Sequence, residues 1–168
     1  MGLPDAAVQE ARERVRVAIS NSGFKFPMKR VIVNLAPANL RKEGPAFDLP
    51  IALGILAASG ALAPERLERA GVVGELSLDG GVRGIKGALS MAEGARREGL
   101  PRLVLPERDA PEAAVIGDVA VFGMRTLRDA VEFLGDSRRL APAEPAPEDG
   151  CEGAEGEDFA DVAGQRYA

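Results

Sequence analysis

Lys86 and Ser90 stand four residues apart, the spacing that puts two side chains on one face of a helix. A lysine of lowered pKa beside a hydroxyl is the equipment of Ser/Lys acyl transfer. That spacing is common by chance, and a lysine in a helix's first turn opposes the macrodipole, which favours anions there. Lys86 therefore reads as a solvated lysine beside a turn. The second place to look is Arg41-Lys42-Glu43-Gly44-Pro45-Ala46-Phe47-Asp48-Leu49-Pro50. Gly44-Pro45 bends the chain, Asp48 suits an N-cap, and Pro50 sets φ in the first turn. Chemistry at this turn needs a reacting side chain, and Ala46 brings only a methyl group.

What the chain lacks narrows the field further. It has no histidine, which excludes imidazole acid–base catalysis and the usual zinc sites. Cys151, the single cysteine, forms no internal disulfide and fits a reducing cytosol. No carboxylate pair has clear metal-ligand spacing. The Gly-rich run Asp79–Gly84 lacks the Lys-Ser/Thr of a phosphate loop and reads as a hairpin. No signal peptide and no apolar run near 20 residues stands out, so the expected location is the cytoplasm, away from membrane.

The net charge of −5 hides an asymmetry. Residues 140–168 hold eight acids and one base; residues 1–139 hold 18 acids and 20 bases. The body is near neutral and the acidity belongs to the tail. Bases cluster at Arg12, Arg14 and Arg16, at Lys29 and Arg30, and at Arg41 and Lys42. Arg12 and Arg16 share a helix face while Arg14 points elsewhere. Glu10 and Glu13 lie among them, which favours a solvated helix surface over one that reads DNA.

The elements that must carry these groups follow an α/β pattern of composition. A helix is expected from Pro4-Asp5 to about Ser20, with Val8, Ala11, Val15, Ala18 and Ile19 as its stripe and Asn21-Ser22-Gly23 as its stop. Lys29–Leu35 reads as a β-branched strand. The helix Leu49–Ser59 is apolar nearly all round, hence buried on most sides, and its small residues Ala52, Gly54, Ala57 and Ala58 suit close backbone approach. A short surface helix is expected from Pro64 to about Ala70. Val72–Leu78 alternates as a half-buried strand and Gly81–Gly84 returns as its hairpin partner. A helix over Lys86–Glu98, a strand Leu103–Leu105, a helix Asp109–Val115, a strand Val119–Phe122 and a helix Thr126–Leu134 complete the body. The last helix carries Thr126 and Asp129 as a capping box. Gly135 to Asp158 reads as a Pro/Ala/Glu/Gly linker that buries too little surface to order itself.

Two resemblances add to this reading. The placing of Gly44-Pro45-Ala46 and, forty residues on, Gly84-Ile85-Lys86 resembles the Ser/Lys peptidase domain of Lon protease, with Ala46 where the serine would be. The chain also resembles the magnesium-chelatase-like AAA+ family known as ComM or YifB. The residues concerned are Gly2-Leu3-Pro4-Asp5 with Glu10-x-Arg12-x-Arg14-Val15, Asn21-Ser22-Gly23, Val33-Asn34-Leu35-Ala36-Pro37-Ala38, Gly44–Leu53 and Val73-Gly74-Glu75-Leu76.

The second resemblance implies a Lon-protease-like domain over residues 1–135, with the ribosomal-protein domain 2-like fold: a mixed sheet with helices packed on it, α+β in two layers. Residues 136–157 would be an acidic linker. Residues 158–168 look like the lead-in of a truncated AAA+ ATPase, with Val162, Gly164 and Gln165 on the adenine side. The family has further residues before Gly2 that add strands, so the chain is expected to start inside the domain. It also stops before any Walker A loop, so no cofactor is expected here; ATP and magnesium belong to the full-length protein. The function implied is a non-catalytic docking or regulatory module. It would serve a hexameric ATPase ring in DNA branch migration during natural transformation, with its own AAA+ domain, neighbouring subunits and DNA as partners. The degenerate cleft would comprise Lys42, Glu43, Gly44, Pro45, Ala46, Asp48 and Lys86. Two alternatives stand beside it: a working Ser/Lys peptidase using another serine, and a nucleic-acid-binding module.

Overall fold

The computed structural model describes residues 6–34 and 45–146. Helix α1 (Ala6–Asn21) buries Val15, Ala18 and Ile19, the stripe expected from their spacing. It stops at Gly23, whose φ of 82° is the left-handed conformation a C-terminal cap requires. Gly23 N–H donates to Ser20 O at 3.0 Å and Phe24 N–H to Ile19 O at 3.1 Å, so the last carbonyls are satisfied. Helix α2 (Asp48–Ala58) buries Leu49, Ala52, Leu53, Ile55 and Leu56. Its small residues do not all serve close approach, because Gly54 is exposed and a Cβ there would meet nothing within 4 Å.

Strands β1 (Ala70–Val72), β4 (Arg102–Pro106) and β5 (Ala120–Met124) form a parallel sheet in the order β1-β4-β5. Gly71 pairs with Leu103 and Val104 with Phe122. Between β1 and β4 come a small antiparallel ladder, β2 (Glu75–Leu76) with β3 (Val82–Arg83), and helix α3 (Ala88–Arg97). The short helix α4 (Ala110–Ala113) joins β4 to β5, and α5 (Leu127–Leu134) closes the body. The mixed α/β architecture expected from the sequence is therefore present.

The period of two along a strand sorts the core. Val104 and Met124 join α1, α2 and α5 in one cluster. Leu103, Leu105 and Val121 join α3 and α4 in another. The Thr126 capping box is present in both directions: Asp129 N–H donates to Thr126 Oγ1 at 3.0 Å, and Thr126 N–H donates to Asp129 Oδ2 at 3.2 Å.

Several further expectations change, among them the surface helix expected from Pro64 to about Ala70, which is a 3₁₀ turn, Pro64–Arg66, with Ala70 already in β1. Lys29–Asn34 is no strand: the run is unpaired and exposed, and Leu35 lies outside the described residues. β-branched side chains favour strands because they pack on cross-strand neighbours, and no described strand offers its edge here. The strand expected over Val72–Leu78 is split at Val73-Gly74, where the chain leaves the parallel sheet for the ladder. Helix α3 starts at Ala88, after Gly87 in the left-handed conformation (φ 79°), so Lys86 precedes the helix. Finally, part of the expected linker lies on the body. Leu140 packs against the first cluster, Ala143 N–H donates to Val121 O at 2.7 Å, and Ala146 N–H donates to Pro111 O at 3.1 Å. Residues 147–168 lie outside the described residues.

Adjacent positions of α2 should respond with opposite signs. Leu53→Ala, which empties a fully buried site, is expected to cost about 3 kcal/mol. Gly54→Ala, into open space on a helix interior, is expected to add up to ~1 kcal/mol. Urea denaturation of both variants measures this, and a loss of stability in Gly54→Ala would refute the exposed placement.

A pH test reads α3. Glu93 accepts hydrogen bonds from Arg96 at 2.8 and 2.9 Å and from Arg97 at 2.8 Å, which hold its carboxyl at about 2 against an ordinary 4.5. A folded-state pKa below the unfolded one stabilises above pH 4.5 and loses that effect as pH falls toward 2. Protection of the α3 amides, taken relative to their intrinsic exchange rates at each pH, should therefore fall over that window in the parent chain, and Glu93→Gln should remove that fall.

Candidate functional site

The loops at the C-terminal ends of parallel strands are where an open α/β sheet offers a crevice. Here β1 runs out at Val72, and Val73 N–H still reaches across to Val104 O at 3.0 Å. The next residue leaves the sheet. Gly74 N–H donates to Ala46 O at 2.8 Å, and Leu49 N–H donates to Gly74 O at 3.0 Å. Two backbone bonds thus pin the 3₁₀ turn Pro45–Phe47 and the first turn of α2 against Gly74. A Cβ on Gly74 would stand 3.0 Å from Val82 Cγ1 and 3.1 Å from Leu49 Cδ2, so a side chain there would force these neighbours to give way.

Asp48 occupies the centre of this junction. It was expected to cap α2, and it does not: Phe47 is the N-cap residue and no side chain caps this end. Asp48 is instead the first helical residue, fully buried, and its carboxylate turns toward α1. Arg14 Nε donates to Oδ2 at 2.6 Å and its second guanidinium nitrogen to Oδ1 at 3.2 Å. Leu76 N–H adds a third bond to Oδ2 at 3.3 Å. The carboxylate therefore joins α1, α2 and β2, and its charge also sits favourably at the helix N-terminus. The bond to Asp48 holds the Arg14 guanidinium above its ordinary range despite partial burial, and Glu10 adds to it.

The sequence reading places Arg14 among three nearby arginines and in the motif Glu10-x-Arg12-x-Arg14-Val15, without the pairing to Asp48. A signal for its role is present, because it stands three residues after Ala11 and four before Ala18, at the border of the apolar stripe. A charge placed there must be buried with a partner or snorkel out.

Lys86 lies elsewhere on the surface. Its side chain is exposed, and the backbone around it is set by two carboxylates: Ile85 N–H donates to Asp109 Oδ2 at 2.7 Å and Leu89 N–H to Glu112 Oε1 at 3.3 Å. Because Lys86 precedes α3, it shares no helix face with Ser90, which is itself exposed beside Leu89, Glu93 and Arg97. Arg108 lies across Gly84, so a side chain there would require this exposed arginine to shift. Arg108 pairs with Asp109 at 3.3 Å and Arg125 with Glu107 at 2.6 Å.

Of the candidate cleft, Pro45, Ala46 and Asp48 lie in one segment, tied to Gly74 through Ala46 O and Leu49 N–H, while Lys42, Glu43 and Gly44 lie outside the described residues. So do Cys151, Val162, Gly164 and Gln165. What the described junction presents is a methyl group, backbone amides already paired, and a carboxylate committed to three donors. That is equipment for holding segments together rather than for moving a proton. Among the described residues no group of three His, Cys, Asp or Glu side chains is placed to hold a metal, and no helix is long and apolar enough to cross a membrane.

Comparison with known proteins gives a consistent neighbourhood. The family model described as subunit ChlI of Mg-chelatase matches residues 1–109. The competence protein ComM of Haemophilus influenzae is 41% identical over 174 residues, which take in 100% of this chain and 33% of ComM. An uncharacterized protein of Mycobacterium tuberculosis is 41% identical over 172 residues with the same coverage. The uncharacterized protein YifB of Salmonella typhimurium is 43% identical over 165 residues, 98% of this chain and 32% of its own length. The chain thus spans about a third of the length of these relatives.

Removing one partner of a buried ion pair strands the other, at a cost of about 3 kcal/mol or more. Asp48→Ala is expected to show that loss in urea denaturation, since Arg14 and Leu76 N–H lose their acceptor. The double variant Arg14→Met/Asp48→Leu should recover much of it. Equal losses in the single and double variants would show that the pair does not couple α1 to α2.

Proposed function

The chain belongs to the ChlI family, that of subunit ChlI of Mg-chelatase, and from that premise we propose that it is a non-catalytic domain that docks on and regulates an attached ATPase. The observation that carries this reading is the junction at Gly74. Ala46 contributes its carbonyl to the fold and only a methyl group to the surface, at the place where a Ser/Lys layout needs its hydroxyl. Lys86 supports the same reading. A lysine becomes a general base when burial lowers its pKa, and this one faces water.

The length of the relatives supports the second half of the proposal. Two thirds of each lies outside the part matched by this chain, which leaves room for an ATPase module in the longer protein. One of those relatives is named a competence protein. We read the longer protein as acting in DNA processing, using ATP and magnesium in a ring of subunits. This domain would serve as the collar of that ring, in the cytoplasm. The rigid coupling of α1, α2 and β2 through Asp48 suits a part that transmits position rather than one that opens and closes around a substrate.

Two measurements test this. A fluorophosphonate probe should leave the chain unlabelled, and casein should stay intact in its presence. Deleting residues 6–134 from the longer protein should slow its DNA strand exchange about fivefold, on the order of a 1 kcal/mol coupling, while ATP hydrolysis survives. Serine labelling that disappears in Lys86→Ala would replace the proposal with a peptidase. Unchanged strand exchange after the deletion would remove the docking role.

A further inference from the structure

Residues 23–34 hold three bases and no acid. Lys25, Lys29 and Arg30 are exposed, and so is Met28. Val31, Ile32 and Val33 are all exposed, at 38%, 77% and 49%. Arg128 adds a fourth cation at its root. Its guanidinium donates to Ser22 O at 2.7 Å and stands 5.7 Å from the centre of the Phe24 ring. Among the described residues, no carboxylate pairs with Lys25, Lys29 or Arg30. By contrast, Arg83, Arg108 and Arg125 on the sheet's C-terminal side each face an acid: Glu75, Asp109 and Glu107.

The opposite charge is concentrated in one place. Between Glu148 and Asp161 the chain has seven carboxylates and no base, with Phe159 among them. We propose that this acidic stretch docks on the basic and apolar run Lys25–Asn34 of the same polypeptide.

Length permits it. The described chain ends at Ala146, held on Pro111. An extended chain covers about 3.3 Å per residue, so the stretch reaches across a body whose radius of gyration is ~14 Å. Tethering converts weak contacts into occupancy. Exposed ion pairs contribute little singly, but a short linker supplies an effective concentration in the millimolar range. Met28 and Ile32 give Phe159 an apolar surface to cover. The consequence is control of position: whatever follows Asp161 is drawn toward the end of α1, and salt or an anionic competitor releases it.

Cys151 makes the test direct, because it is the single cysteine of the chain and lies inside the acidic stretch. A nitroxide attached there should broaden the amide signals of Lys25–Asn34 in the 168-residue chain at low salt. The broadening should vanish in about 1 M salt, where the Debye length is ~3 Å. It should also vanish in Lys25→Glu/Lys29→Glu/Arg30→Glu, whose substitutions are all exposed and whose folding is checked by circular dichroism. Broadening around Lys86, Arg108 and Arg125 instead, or broadening that survives charge reversal, overturns the proposal. Broadening seen only between separate chains, in a mixture of spin-labelled and isotope-labelled protein, overturns it in favour of a second copy. A DNA oligonucleotide that shifts Lys25–Asn34 equally well with and without residues 147–168 overturns it in favour of a nucleic-acid surface.

Discussion

The buried pair of Arg14 with Asp48 is the constraint around which the described body is organised. Its carboxylate takes two bonds from α1 and one from the backbone of β2 while standing in the first turn of α2. Three segments that are distant in sequence are thereby held in one orientation. Burying a carboxylate is unfavourable unless its oxygens are supplied with donors, and here both are. The same point fixes the turn Pro45–Phe47, because α2 cannot shift without breaking the bonds of Ala46 and Leu49 to Gly74.

That constraint also bears on what the junction can do. A catalytic carboxylate needs freedom to exchange a proton, and a nucleophile needs a reacting atom. Asp48 is engaged on both oxygens, and Ala46 has no reacting atom. The junction thus ties α1, α2 and β2 to one another. The chain belongs to the ChlI family and spans about a third of the length of relatives such as ComM and YifB.

Local chemistry was readable wherever the partners are close in sequence. The Thr126–Asp129 capping box is set by residues three apart. The stop of α1 at Gly23 needs only a residue that accepts positive φ. The burial of α2 follows from its own side chains, since a helix with apolar groups all round has no face to give to water. The readings that changed depend on distant partners. Asp48 has the right type for an N-cap, yet an arginine 34 residues earlier takes its carboxylate. Lys29–Asn34 has strand composition, yet no described strand pairs with it.

The split of Val72–Leu78 has the same origin. Alternation along that stretch is compatible with one continuous strand, and the break is imposed by Leu49 and Val82 closing on Gly74. The amino-acid sequence by itself determined the α/β class, the helix stops and caps, and the methyl group at Ala46, because each depends on a residue and its near neighbours. Only the tertiary structure decided which carboxylate Arg14 would meet, where the sheet would change direction and that Lys86 would face water. Those outcomes are set by contacts between segments tens of residues apart, and no local pattern encodes the partner.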